Sequence, residues 1–158
     1  NIFKSTKKSD IRKKCILRMI EIDIAKGDLI SAKNKIAQFS DLFNKKMNQN
    51  KLQIKFAQIL MFEGAIDSVN SFLRNSIKSM DSTNDNFNDI LEILSLNLTF
   101  INSKELYSNF GKAQFLIQQN KRQEAIYILE ELTNISDPLV SELIQYQIIY
   151  LYLMQKDY

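Results

Sequence analysis

The sequence predicts an all-α protein, and three observations carry that reading. Three glycines and one proline in 158 residues are too few for an all-β chain, in which every turn draws on them. Apolar residues recur at every third or fourth place over long unbroken stretches, the period of a helix and not the alternation of a strand. The content, 45% hydrophobic and 25% charged, is that of a globular chain. A chain of this length suffices for one domain, which hides roughly 68–70% of its unfolded surface.

Periodicity and capping signals mark eight helical stretches, at 9–26, 28–43, 46–63, 65–79, 86–101, 103–119, 121–134 and 138–156. Gly27 and Gly64 fit left-handed stop positions, and Asn120 can serve in the same way. Asn102 followed by Glu105 has the spacing of a capping box. Asp137 ahead of Pro138 places an N-cap before a proline at the first helical position. The links are very short, so consecutive helices are expected to be antiparallel neighbours.

The stops recur. Ala32 and Val69 each stand five residues after their glycine, and Ala125 stands five after Asn120. Ala32 to Val69 is a step of 37 residues, and Asn120 to Lys156 a step of 36. A helix pair returning at that interval has the spacing of an α-solenoid, predicted here as an elongated, right-handed stack of eight antiparallel helices. Val69 to Ala125 spans 56 residues, about one and a half periods. The stretch 86–101 is therefore the odd one out, and a break of register is expected near residues 80–102. Residues 1–158 are read as a single helical-repeat domain. The chain opens at Asn1 rather than at a methionine, and its last turn, Gln155 to Tyr158, stops where a second helix is due. It is expected to be a piece of a longer protein.

At these positions the chain resembles a tetratricopeptide repeat. The turns read Gly27-Asp28-Leu29, Gly64-Ala65-Ile66, Asn120-Lys121-Arg122 and Lys156-Asp157-Tyr158. The small position of the first helix is Ala57 and Ala113, with Ile20 and Ile149 in the other two pairs. That of the second helix is Ala32, Val69 and Ala125, followed by the large residues Ile36, Leu73 and Leu129. Small residues there permit close helix approach, so Ile20, Val69 and Ile149 imply altered packing angles. The resemblance implies a concave groove lined by first helices. Carried over position by position, that groove uses Lys14, Leu17 and Glu21, then Lys51, Ile54 and Gln58, then Tyr107, Phe110 and Gln114, and finally Tyr146 and Tyr150.

Signals of chemistry are sparse. The chain has no histidine, which removes the commonest general base and nitrogen metal ligand and makes a Ser-His-Asp or Cys-His arrangement impossible. Gly27, Gly64 and Gly111 are isolated and build no phosphate loop. An enzyme is not expected, nor a cofactor. Asp81, Thr83, Asp85, Asp89 and Glu92 do fall at the oxygen-ligand positions of an EF-hand calcium loop. Asn86 replaces its glycine and no second hand exists, so a polar inter-helix loop is the plainer reading. Cys15, the single cysteine, lies within an apolar helical pattern and is read as a buried structural thiol. No apolar run approaches the ~20 residues of a membrane-spanning helix.

Charge is uneven. Residues 1–55 carry fourteen Lys/Arg against five Asp/Glu, and residues 56–158 seven against thirteen. The basic third, with Lys4, Lys7, Lys8, Arg12, Lys13, Lys14 and Arg18 near its start, is either a solvated face or a dock for an acidic partner. The last helix is apolar around nearly its whole circumference. Further repeats or a partner chain are expected over Ile148, Ile149, Leu151, Tyr152 and Leu153, although Tyr152 by itself reads more readily as packing within the core. The leading functional reading is a non-enzymatic scaffold that holds a peptide or subunit on its concave face. Two alternatives stand beside it: a helical-repeat RNA-binding module, against which the acidic C-terminal part argues, and a structural helical segment of a larger enzyme or assembly.

Overall fold

A computed structural model describes residues 9–43, 46–78, 87–134 and 137–155. Among them are eight α-helices and no strand. These are α1 (Ser9–Ala25), α2 (Leu29–Phe39), α3 (Lys46–Phe62), α4 (Ile66–Lys78), α5 (Phe87–Thr99), α6 (Lys104–Gln118), α7 (Arg122–Glu131) and α8 (Pro138–Gln155). The stretch expected to be helical over 28–43 divides. After α2 a 3-10 turn runs Ser40–Phe43, set by the Ser40 hydroxyl, which donates to the Ala37 carbonyl at 3.0 Å. That tightening swings Phe43 into the core, where it is 1% exposed.

Among the described residues the recurring step in the sequence is one backbone motif used three times; the fourth turn, Lys156-Asp157-Tyr158, lies outside them. Gly27, Gly64 and Asn120 all have positive φ, at 87°, 72° and 61°. At each, the amide of that residue donates to the carbonyl three back, and the next amide to the carbonyl five back. The pairs are Gly27 to Ile24 and Asp28 to Asp23, Gly64 to Met61 and Ala65 to Leu60, and Asn120 to Ile117 and Lys121 to Leu116. This is the Schellman stop, which satisfies carbonyls that the helix end leaves unpaired. Asparagine serves at the third because its short polar side chain tolerates the left-handed region. The helix starts are capped as local chemistry dictates. The Asp28 carboxylate accepts from Ser31 N–H at 2.8 Å, and the Asp137 carboxylate from Leu139 N–H at 2.9 Å. The cap of α6 is Ser103, whose hydroxyl accepts from Leu106 N–H at 3.4 Å, one residue beyond the expected Asn102.

Helices α1 and α2, α3 and α4, and α6 and α7 pack as sequential pairs, and α8 lies against α7. The small positions drawn from the repeat pattern lie at these contacts: Ile20, Ala32, Ala57, Val69, Ala113 and Ala125 are all fully buried. Ile149 is the exception at 60% exposed, because no further helix covers that side of α8 among the described residues. Cys15 is exposed on α1, contrary to the expected buried thiol, since the core stripe of α1 runs through Ile16, Ile20 and Ile24.

Helices α3 and α6 touch directly although α4 and α5 intervene in the sequence. The approach is very close. A Cβ added at Gly111 would stand 2.1 Å from the carbonyl oxygen of Met61, and one added at Gly64 would stand 2.9 Å from the Cα of Ser108. One face of α6 continues along this joint. Phe115 stacks on Phe62 with centroids 5.4 Å apart, and Gln119 reaches the turn at Gly27. Ser108 and Gln119 are eleven residues apart, about 16 Å along a helix, so α6 spans the turns that end α3 and α1. It touches α1 as well as α3, whereas in a regular solenoid each repeat meets its neighbours alone.

Helix α5 packs on α4 and is tied in by a buried polar chain. Asn97 is fully buried. Its side-chain carbonyl accepts from the Tyr107 hydroxyl at 2.7 Å, and its amide donates to Asn70 at 3.2 Å. Phe100 adds ring contacts to Tyr107 and Phe110, at 5.8 Å and 4.9 Å between centroids. Burial pushes the Tyr107 hydroxyl well above its ordinary pKa.

Two predictions follow from these contacts. Alanine is the better helix former by about 1 kcal/mol, yet Gly111→Ala should destabilise the protein. The group it would strike is a helix carbonyl rather than a movable side chain, and overpacking of this kind costs about 1–3 kcal/mol; denaturant midpoints of the variant and the parent give the sign. Tyr107→Phe leaves the Asn97 carbonyl unpaired in the core and should cost about 1–3 kcal/mol. The folded pKa of Tyr107 lies above the unfolded value near 10.0. The unfolded chain therefore releases this proton first, and stability falls as pH rises past that value. Tyr107→Phe should flatten that alkaline loss, as read from unfolding midpoints on either side of it.

Candidate functional site

The joint between α3 and α6 and the lateral position of α5 leave a groove of 960 Å³. Helix α3 contributes Ile54 and Gln58, and α6 contributes Phe110 and Gln114. Helix α8 adds Leu139, Leu143, Tyr146 and Gln147. The remaining wall is α5, through Asp89, Glu92, Ile93, Ser95, Leu96 and Thr99. Each set follows from helical spacing. Residues 54 and 58, 110 and 114, and 139, 143, 146 and 147 lie on single faces, as do 89, 92, 93, 96 and 99.

The floor is apolar and the rim is acidic. Phe110 is 2% exposed and anchors the base. Asp89 and Glu92 are exposed on the first two turns of α5, and among the described residues no lysine or arginine lines the groove. The glutamines at 58, 114 and 147 are half-buried, and their amides have no side-chain partner among the described residues. Leu139 and Tyr146 belong also to a stripe on the outer face of α8. With Ile149, Tyr150 and Leu153 they are between 43% and 68% exposed. Residues 146, 149, 150 and 153 share one face of that helix.

Of the eleven groove positions drawn from the repeat pattern, Ile54, Gln58, Phe110, Gln114 and Tyr146 come together here. Lys14, Leu17, Glu21, Lys51 and Tyr150 are not part of its lining. Glu21 is held by its own neighbours, with its carboxylate 3.1 Å from Lys55 and 3.2 Å from Arg18. Partial burial pushes that carboxyl up, but Lys55 and Arg18 together hold it below its usual range. Tyr107 must be corrected: it is fully buried, because its hydroxyl is needed by Asn97 and its ring by Phe100. The α5 residues were not expected in the groove, and Asp89 and Glu92 stood out only for their calcium-like spacing. The available signal was that α5 is apolar on more than one face, with Ile90 buried while Leu91 and Leu98 are exposed.

The expected edge on α8 is also redistributed. Ile149 and Leu153 are exposed, but Leu151 is 1% exposed and Ile148 packs on the core. Tyr152, expected in the core, is 43% exposed and donates its hydroxyl to Glu130 at 2.9 Å. In the basic third, Lys13 is 8% exposed and so does not face outward, whereas Arg18 pairs with Glu21 and stays exposed on α1. Lys4, Lys7 and Lys8 lie outside the described residues, as do Asp81, Thr83 and Asp85 of the calcium-like spacing. Among the described residues no group of three or more His, Cys, Asp or Glu could hold a metal ion. No described helix is long and apolar enough to cross a membrane.

No protein-family model, curated protein or solved structure matches the chain.

Proposed function

We propose that this chain is a non-enzymatic scaffold of α-solenoid type, related in design to tetratricopeptide repeats, that holds a segment of another protein in the groove between α3, α5, α6 and α8. The observation that carries the reading is the groove itself, an apolar floor with convergent amide groups on rigid helices. Its volume of 960 Å³ lies at the upper end of the ~300–1,000 Å³ typical of ligand sites. The α8 stripe extends the surface outward, and exposed apolar patches of that kind mark interaction surfaces. In this reading a partner chain or further repeats cover Ile149, Tyr150 and Leu153. The RNA alternative is disfavoured because the rim carries carboxylates where a phosphate track needs cations.

The test is selection of a phage-displayed random peptide library on the immobilised chain, followed by affinity measurement of the enriched peptides. Leu139→Ser with Tyr146→Ser removes apolar groups that are 67% and 68% exposed, so the fold should stand. Binding should fall by roughly tenfold or more, as for the loss of interface anchors. Enriched peptides indifferent to this pair would contradict the reading.

A further inference from the structure

The groove and the chain that carries it have opposite electrical character. The whole chain has a net charge of +3, yet among the described residues the groove is lined by two carboxylates and no cation. Both carboxylates come from α5, and Asp89 and Glu92 are one helical turn apart on the face that looks into the groove. Gln58 on α3, Gln114 on α6 and Gln147 on α8 also line it, with amides that can each donate and accept. An amide of this kind pairs equally well with the N–H and the C=O of a peptide backbone, so these glutamines can hold main chain without reading its sequence. Phe110 and Leu143 supply the groove's apolar floor.

From this layout we infer that the groove takes a short extended segment bearing an apolar side chain flanked by lysine or arginine. The apolar side chain sits over Phe110, the basic side chains face Asp89 and Glu92, and the glutamines hold the backbone. This rests on the groove being the binding surface and adds the chemistry of what it selects. The carboxylates favour basic segments and penalise acidic ones by like-charge repulsion, so they act on specificity and on association rate. A partner with alternating acidic and apolar residues, which the basic N-terminal third would attract, is thereby kept out of this groove.

The peptide pools selected on the intact chain give the test. The wild-type pool should contain more Lys and Arg than Asp and Glu next to its apolar positions. Asp89→Lys with Glu92→Lys, both at exposed positions, should weaken those peptides by roughly tenfold or more and enrich acidic sequences on reselection. Asp89→Asn with Glu92→Gln should fall between the two, and raising salt should reduce the difference. A pool without basic excess, or peptides indifferent to charge reversal, overturns the inference. If such peptides still fail on Leu139→Ser with Tyr146→Ser, the groove stands as the site and only its charge preference is wrong. If neither pair of substitutions matters, or no peptide is enriched, both readings fall.

Discussion

The contact on which the rest depends is the seating of α6 against the C-terminal turn of α3. Two glycines make it. The Met61 carbonyl already accepts the Gly64 amide of the helix stop, and it also occupies the space that a side chain at residue 111 would need. Gly64 in turn has no room for a Cβ because Ser108 lies there. Turn and helix face are thus one joint. Gly27 shares the left-handed backbone but meets only the tip of Gln119, a flexible group, so its demand for glycine comes from conformation alone.

The joint has a consequence for the site. Once α6 lies on α3, the two helices that intervene in sequence must leave the space between them, and α5 is set to the side on α4. It is then held by Asn97, which hydrogen-bonds to Asn70 on α4 and to Tyr107 on α6. A buried polar chain contributes little net stability over an apolar one, but a shifted register would leave buried groups unpaired at a cost of ~1–3 kcal/mol each. It therefore fixes where α5 lies more than how firmly the protein holds together. The groove is the space left between α3, α6, α8 and this displaced helix.

Much of the fold was legible in the sequence because its signals are local. Helix period, the stops at Gly27, Gly64 and Asn120, and the cap at Asp137 each need only a few neighbouring residues. The misplaced cap at α6 is of the same kind: Asn102 and Ser103 are both good caps, and only the chain path chooses. Burial was less legible. Cys15 and Lys13 lie on a helix whose core stripe is narrow, and sequence could not say that Cys15 falls outside it. Tyr107 and Tyr152 exchanged their expected places, since an aromatic residue on an apolar helix satisfies either face. The site was half legible. The groove carried over from the tetratricopeptide resemblance included Ile54, Gln58, Phe110, Gln114 and Tyr146, which line this groove, but no local pattern tells which face of α5 is brought up beside them. That depends on the contact between α3 and α6, whose partners are some fifty residues apart.

That contact can be measured directly at Phe62 and Phe115, whose rings stack with centroids 5.4 Å apart. A double-mutant cycle of Phe62→Leu and Phe115→Leu, read by denaturant unfolding, isolates their interaction from the cost of each substitution. The account predicts a coupling of about 0.5–1.5 kcal/mol, the value of a packed aromatic pair. Strictly additive losses would mean that α6 does not rest on α3, and the groove built on that joint would go with it.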